Sequence, residues 1–208
     1  MGVVWRRLAL GVGLVGVGLL GVYLWERRHP KPLPYERRHY IAKPRWFLPV
    51  SGLVEALDPR PRDRILEIGP GTGAYTFDVA EALSLDGTLD ILDIQQEMLD
   101  HVLRETERRG LRNIRPTLGR AEQLPYEDGT FDSAYVINAL GEVEDQAQAL
   151  RELHRVLKPY GRLVLAENAY DPHWITLRTL KGLTAEAGFE FRSRNGLPFS
   201  YYASFRAA

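Results

Sequence analysis

Cysteine is absent from this chain. That excludes disulfide staples, thiolate nucleophiles and cysteine-ligated zinc, although it does not fix the compartment. An excess of either charge is also missing: Lys plus Arg and Asp plus Glu both number 27, for a formal net charge of 0 and a pI of about 7.0. No global basic field draws such a chain to nucleic acid, and none is expected as a partner. His29, His39, His101 and His154 show no convergent ligand spacing, so no metal site is expected. With 208 residues, 45% of them hydrophobic, one full core can form, and two independent catalytic domains would be hard to fit.

The apolar residues are unevenly placed. From Leu8 to Leu24 the chain reads LALGVGLVGVGLLGVYL, without a charged or amide side chain, between Trp5 and Trp25. A spanning helix needs about 20 apolar residues, and the flanking aromatics bring this run into range. A cleaved signal peptide behind Arg6 and Arg7 is the competing reading, and a wrongly extended start is a third. Against cleavage, no small-x-small site lies between Leu19 and the charged stretch, where the apolar run ends. With the run read as a retained single-pass anchor, the lipid bilayer is a partner. Arg27, Arg28, Lys31, Arg37, Arg38, Lys43 and Arg45 outweigh the basic residues before the run, which places the C-terminal domain in the cytoplasm.

The chain therefore divides into a short basic flank (1–7), a transmembrane anchor (8–25), a basic, proline-rich juxtamembrane linker (26–49) and a catalytic domain (50–208). Pro30, Pro32 and Pro34 make the linker's start stiff and non-helical. Residues 35–50 lie either on the lipid surface or as a lid on the domain. Oligomeric state stays open.

Within the domain, punctuation by Gly, Pro and Asn is regular. The pattern predicts a helix over Ser51–Leu57, strands at Arg64–Ile68, Leu89–Ile94, Ile114–Leu118, Phe131–Ile137 and Arg162–Glu167, and helices at Tyr75–Leu83, Gln96–Arg109 and Gln146–Leu157. A helix over Pro172–Ala187, with Asp171 as its N-cap, leads to strands at Phe189–Arg194 and Ser200–Arg206. The short Asn195-Gly196-Leu197-Pro198 connection favours antiparallel pairing of that last pair. Strands alternating with helices specify an α/β, Rossmann-like, mainly parallel seven-stranded sheet with an antiparallel final strand, preceded by one transmembrane helix.

In such a sheet ligands bind beyond the carboxyl ends of the strands. The strongest local signal sits there: Ile65-Leu66-Glu67-Ile68-Gly69-Pro70-Gly71-Thr72-Gly73 runs from a strand into closely spaced glycines that let backbone approach a ligand. Asp93 ends the next strand, where a carboxylate can accept hydrogen bonds from both hydroxyls of a ribose. Asp90 is the competing acid, at the wrong end of the strand. Gly69, Gly71 and Ala74 also fit the loose dinucleotide fingerprint, so these residues alone leave nicotinamide and adenosylmethionine cofactors open.

The chain resembles the class I S-adenosylmethionine-dependent methyltransferases, especially the branch of ubiquinone and menaquinone biosynthesis enzymes. The resemblance covers roughly 50–205 and rests on LEIGPGTG, LDIQQEML (Leu92–Leu99), AEQLPYEDGTFDSAYV (Ala121–Val136) and ELHRVLKPYGRLVLAE (Glu152–Glu167). It implies S-adenosyl-L-methionine as cofactor and a small-molecule or lipid-like methyl acceptor. Glu67 would face the methionine amino end, Gly69, Gly71 and Gly73 would pass close to methionine and ribose, Asp93 would hold the ribose diol, and Ile94 would cover adenine. Where the family often carries an acid for the adenine amine, this chain has Arg120, leaving Ala121's backbone or Glu122 to substitute. On the acceptor side the resemblance places Asn138 and Glu142, which would align or deprotonate the acceptor, with His173 as a candidate base and Trp174 as an apolar wall. Arg120, and Tyr160 at a customary glycine position, motivate an alternative: a tethered cofactor-binding protein without turnover.

Overall fold

Short apolar stretches bounded by turn residues become strands, and amphipathic stretches between them become helices. The computed structural model describes Trp25 and residues 31–42, 46–83 and 86–208. The strands are β1 (Arg64–Ile68), β2 (Thr88–Asp93), β3 (Ile114–Leu118), β4 (Phe131–Ile137), β5 (Leu157–Asn168), β6 (Phe189–Leu197) and β7 (Ser200–Ala207). They form one sheet in the order β3-β2-β1-β4-β5-β7-β6. β1 to β5 pair in parallel, and β7 lies antiparallel to both β5 and β6. The expected sheet, including its antiparallel final strand, is thus present. Its order reverses between β1 and β4, which opens a crevice at their carboxyl ends.

The helices are α1 (Val50–Leu57), α2 (Thr76–Ala82), α3 (Gln96–Arg109), α4 (Gln146–Val156) and α5 (Leu177–Glu186). Because side chains alternate across a strand, Ile65 packs with Leu53, Val79 and Leu99 on one face, while Leu66 packs with Leu150, Leu153 and Leu180 on the other. α1, α2 and α3 therefore cover one side of the sheet, and α4 and α5 the other. Gly110, in the left-handed conformation, stops α3, and Asp145 caps α4 by accepting from the Gln148 amide at 2.8 Å.

Three expectations change. The helix expected from Pro172 starts at Leu177, because Thr176 is its N-cap, accepting from the Thr179 amide. Asp171 instead accepts from the His173 amide at 2.8 Å, which closes a local turn ahead of the helix. β5 begins earlier than expected, at Leu157, and Tyr160 within it takes the left-handed φ of 63° that a glycine would supply. Of the segment expected as a linker up to residue 49, the described residues 33–42 and 46–49 are built onto the domain: Leu48 is fully buried, and the carbonyls of Phe47, Leu48 and Pro49 accept from the hydroxyls of Ser200, Tyr75 and Tyr202. The expected anchor over 8–25 falls, except for Trp25, outside the described residues; among those described, no helix is long and apolar enough to cross a membrane.

Candidate active site at the carboxyl ends of the strands

β1 delivers the chain into a bend in which Gly69, Gly71 and Gly73 have φ of 68°, 55° and 82°. All three also lack room: a Cβ on Gly69 would stand 2.9 Å from the Ala139 Cβ, one on Gly71 2.6 Å from the Ile41 side chain and one on Gly73 2.6 Å from the Phe77 ring. Glu67 braces this bend from beneath. Its carboxylate is buried and accepts from the Thr76 hydroxyl at 2.6 Å, tying the end of β1 to the first residue of α2. Burial pushes the Glu67 carboxyl up to about 7, offset in part by the Thr76 hydrogen bond. The Tyr135 hydroxyl faces the same carboxyl, outside good hydrogen-bond geometry.

Asp93 closes β2 with 8% exposure. One carboxylate oxygen accepts from the Gln95 amide at 2.9 Å. Burial raises its pKa, while the backbone amides of Gln95, Ile94 and Gly71 act in the opposite sense. The structure thus brings the glycine bend and the β2 carboxylate together. Ile94 beside them leaves 43% of its surface exposed, an apolar face that a flat ring would cover. Asp90 is committed elsewhere: the Arg64 guanidinium donates to both its oxygens, at 2.8 and 2.9 Å.

A strap lies across this cleft. Residues 31–34 carry no regular structure and run into a 3-10 turn over Tyr35–Ile41. The Gln95 side chain holds it with both ends of its amide, donating to the Leu33 carbonyl at 3.0 Å and accepting from the Tyr35 amide at 3.1 Å. The Thr72 hydroxyl donates to the Ile41 carbonyl at 3.2 Å, and the Ile41 side chain sits where a Cβ on Gly71 would go, 2.6 Å away. Of the two roles open to residues 35–50, residues 35–41 fit the lid.

The acceptor side is built from the ends of β4 and β5. Asn138 follows β4 with φ of 52°, and its side-chain oxygen accepts from the Asn168 amide at 2.8 Å. Glu142, in the 3-10 turn Leu140–Glu142, is one of the strap's anchors, accepting from the Leu33 amide at 3.4 Å. Burial, with Asp171 and Asp93 nearby, pushes its carboxyl up to about 8. Burial likewise takes Glu167 to about 8, and it accepts from the Ile175 amide at 3.0 Å. His173 packs against the same turn, its carbonyl occupying the place a Gly141 Cβ would take, and its ring Nδ1 is 3.8 Å from Asp171 Oδ1.

At the third edge Ala121 is buried, and Arg120 donates to Glu122 at 3.0 Å and to Glu144 at 3.4 Å. The Arg120 guanidinium therefore spends its charge on Glu122 and Glu144.

The residues fit an adenosylmethionine. A Cβ on any of the three bend glycines would collide with a neighbour, the Asp93 carboxylate closes the opposite wall, and the exposed Ile94 lies next to it. Gly69, Gly71 and Gly73 would hold the amino-acid portion, and Asp93 the sugar. Among the described residues no group of His, Asp and Glu is placed to hold a metal ion. Sequence reasoning missed the Gln95 clamp, the Thr72 anchor and the Asn168 brace. Thr72 lies inside the glycine motif, and Gln95, two residues past Asp93, lies close enough in sequence to contribute although it could equally be solvated.

The ubiE/COQ5 methyltransferase family model matches residues 51–180. A demethylmenaquinone methyltransferase of Lactococcus lactis is 33% identical over 135 residues, which is 65% of this chain and 50% of that protein. The ubiquinone/menaquinone biosynthesis C-methyltransferase UbiE of Teredinibacter turnerae is 36% identical over 140 residues, 62% of this chain and 56% of that protein. The chain thus spans about half the length of these curated relatives. Among solved structures, a SAM-dependent methyltransferase from Aquifex aeolicus superposes with a TM-score of 0.76 at 18% identity, covering 84% of this chain and 98% of that one, a likeness of fold.

Proposed function

The chain belongs to the ubiE/COQ5 methyltransferase family, and on that premise we propose that it transfers a methyl group from S-adenosylmethionine to a small, lipid-partitioning acceptor, at a membrane to which Leu8–Leu24 anchors it. The observation that carries the reading is the junction of the glycine bend with the end of β2, where the Gly69 amide donates to the Leu92 carbonyl at 2.9 Å and the buried Asp93 carboxylate follows. Family membership supports adenosylmethionine over the nicotinamide alternative. When bound, that group supplies an electrophilic sulfonium methyl.

The chain's own task is then placement and exclusion of water. The strap over 31–41 covers the cleft from one side. Asn138, fixed by Asn168, presents a rigid amide beside the acceptor position. With its carboxyl at about 8, Glu142 keeps its proton at neutral pH, so it donates a hydrogen bond to an acceptor oxygen rather than acting as a base. The relatives' names make a prenylated quinone lacking one methyl group the first acceptor to try. The support for anchoring is the apolar run and the basic residues that follow it, with the domain on the cytoplasmic side.

The test supplies adenosylmethionine labelled in its methyl group to the full chain in vesicles containing demethylmenaquinone. Label in the organic extract is the expected result. Label confined to water-soluble material would contradict the lipid acceptor, and no transfer to any acceptor would favour the tethered binder without turnover.

A further inference from the structure

We infer that an aromatic rim formed by Trp46, Tyr170, Leu197 and Phe199 rests in the headgroup layer of the bilayer and turns the active-site mouth toward the lipid. The inference rests on the anchor proposed above and adds which face of the domain meets the membrane.

These four side chains are 82%, 64%, 41% and 43% exposed. Phe47 bridges two of them: its ring centre lies 5.3 Å from that of Trp46 and 5.2 Å from that of Tyr170. The Phe199 carbonyl accepts from the Ala169 amide at 2.8 Å, which places Phe199 beside Tyr170. Leu197 and Ser200 are paired across the β6–β7 turn, and Ser200 pairs with Asn168 at the carboxyl end of β5. The rim therefore sits at the ligand end of the sheet. Scattered exposed apolar residues need no explanation, but a contiguous, mainly aromatic patch does.

The patch is also held open. The carbonyls of Phe47, Leu48 and Pro49 are each fixed by a hydroxyl of the domain, which anchors the backbone that carries Trp46. Tryptophan and tyrosine on a rigid edge suit the membrane interface, where an apolar ring and a polar tip are both satisfied. Lys43 and Arg45, just before Trp46 in sequence, suit anionic headgroups.

The tether selects the bilayer as the occupant. Leu33 is bound at the cleft by Gln95 and Glu142, and only residues 25–32 separate it from the apolar run. Fully extended, that link spans no more than about 30 Å. A domain of this size is about 40 Å across. The leash is shorter than the domain it holds, so the ligand end faces the membrane.

The test uses the full chain with Trp46 as its sole tryptophan (Trp5→Phe, Trp25→Phe, Trp174→Phe), reconstituted in phosphatidylcholine–phosphatidylglycerol vesicles whose lipids carry bromine high on the acyl chain. Flotation and quenching of Trp46 emission by the brominated lipid are expected. Flotation with unquenched Trp46 would overturn the rim while leaving the anchor standing; if acrylamide also failed to reach Trp46, a protein partner or a second copy would cover the rim instead. Failure to float would overturn anchor and rim together. In the otherwise native chain, Trp46→Ser with Phe199→Ser is expected to lower kcat/KM for a vesicle-embedded acceptor and leave adenosylhomocysteine affinity unchanged. An unchanged kcat/KM would count against the rim even if the single-tryptophan chain failed to fold.

Discussion

The Gln95 side chain spans two links of one strap, donating to the Leu33 carbonyl at 3.0 Å while its oxygen accepts from the Tyr35 amide at 3.1 Å. A primary amide used in this way substitutes for a neighbouring strand. It converts a proline-rich stretch with few partners of its own into a cover over the bend of β1. The Gln95 amide also donates to Asp93, so one residue joins the cover to the ribose carboxylate.

Replacing Gln95 by Ala removes two hydrogen bonds, each worth about 0.5–1.5 kcal/mol. The strap should open more often, with hydrogen exchange at the Tyr35 amide accelerated roughly tenfold or more and little change in the global thermal midpoint. Unchanged exchange would show that Thr72 and Glu142 hold the strap without Gln95.

Gly71→Ala tests the bend. A residue other than glycine at φ of 55° costs about 1–2 kcal/mol, and the added Cβ would press on Ile41 Cδ1 at 2.6 Å. A midpoint lowered by about 2–8 °C is expected for a chain of this size. Adenosylhomocysteine binding should weaken as well. A stable variant with native affinity would place the ligand away from this bend.

Much of this architecture could be read from residue order alone. α3 occupies Gln96–Arg109 as expected because Gly110 stops it, and β4 fills Phe131–Ile137 because its apolar run is buried on both faces. The late start of α5 was hidden because Asp171-Pro172 and Thr176 are both good beginnings. What decides between them is Glu167, a buried acid on β5 whose carboxylate takes the Ile175 amide and keeps that stretch out of the helix. Gly71 and Asp93 could be identified because their chemistry is local to strand ends. The strap's anchorage could not, since Leu33 and Glu142 are 109 positions apart and a backbone amide carries no sequence signature.

Glu67, Glu142 and Glu167 are raised from 4.5 to about 7, 8 and 8 by burial. The folded chain holds protons that the unfolded chain releases, so the stability they contribute is full below about pH 4.5 and is lost as pH rises toward 8. The thermal midpoint should therefore fall between pH 5 and pH 8, and Glu142→Gln should flatten that slope. A midpoint that rises over this range would mean that these carboxyls are ionised in the folded state.

Asn168→Ala should leave Asn138 without its 2.8 Å partner. If Asn138 positions the acceptor, kcat for methyl transfer falls while adenosylmethionine affinity stays near native. A parallel loss of both would mark a general disturbance of the β4 and β5 ends.

The central claim is that Asp93 grips the sugar of adenosylmethionine opposite the glycine bend. Calorimetric titration of adenosylhomocysteine into the wild type, Asp93→Ala and Asp90→Ala tests it most directly. With hydrogen bonds to a charged group worth about 1.5–3 kcal/mol each, Asp93→Ala should lose roughly a hundredfold or more in affinity. Asp90→Ala, which breaks only the pair with Arg64, should keep it. Equal affinity of Asp93→Ala and wild type would contradict the account.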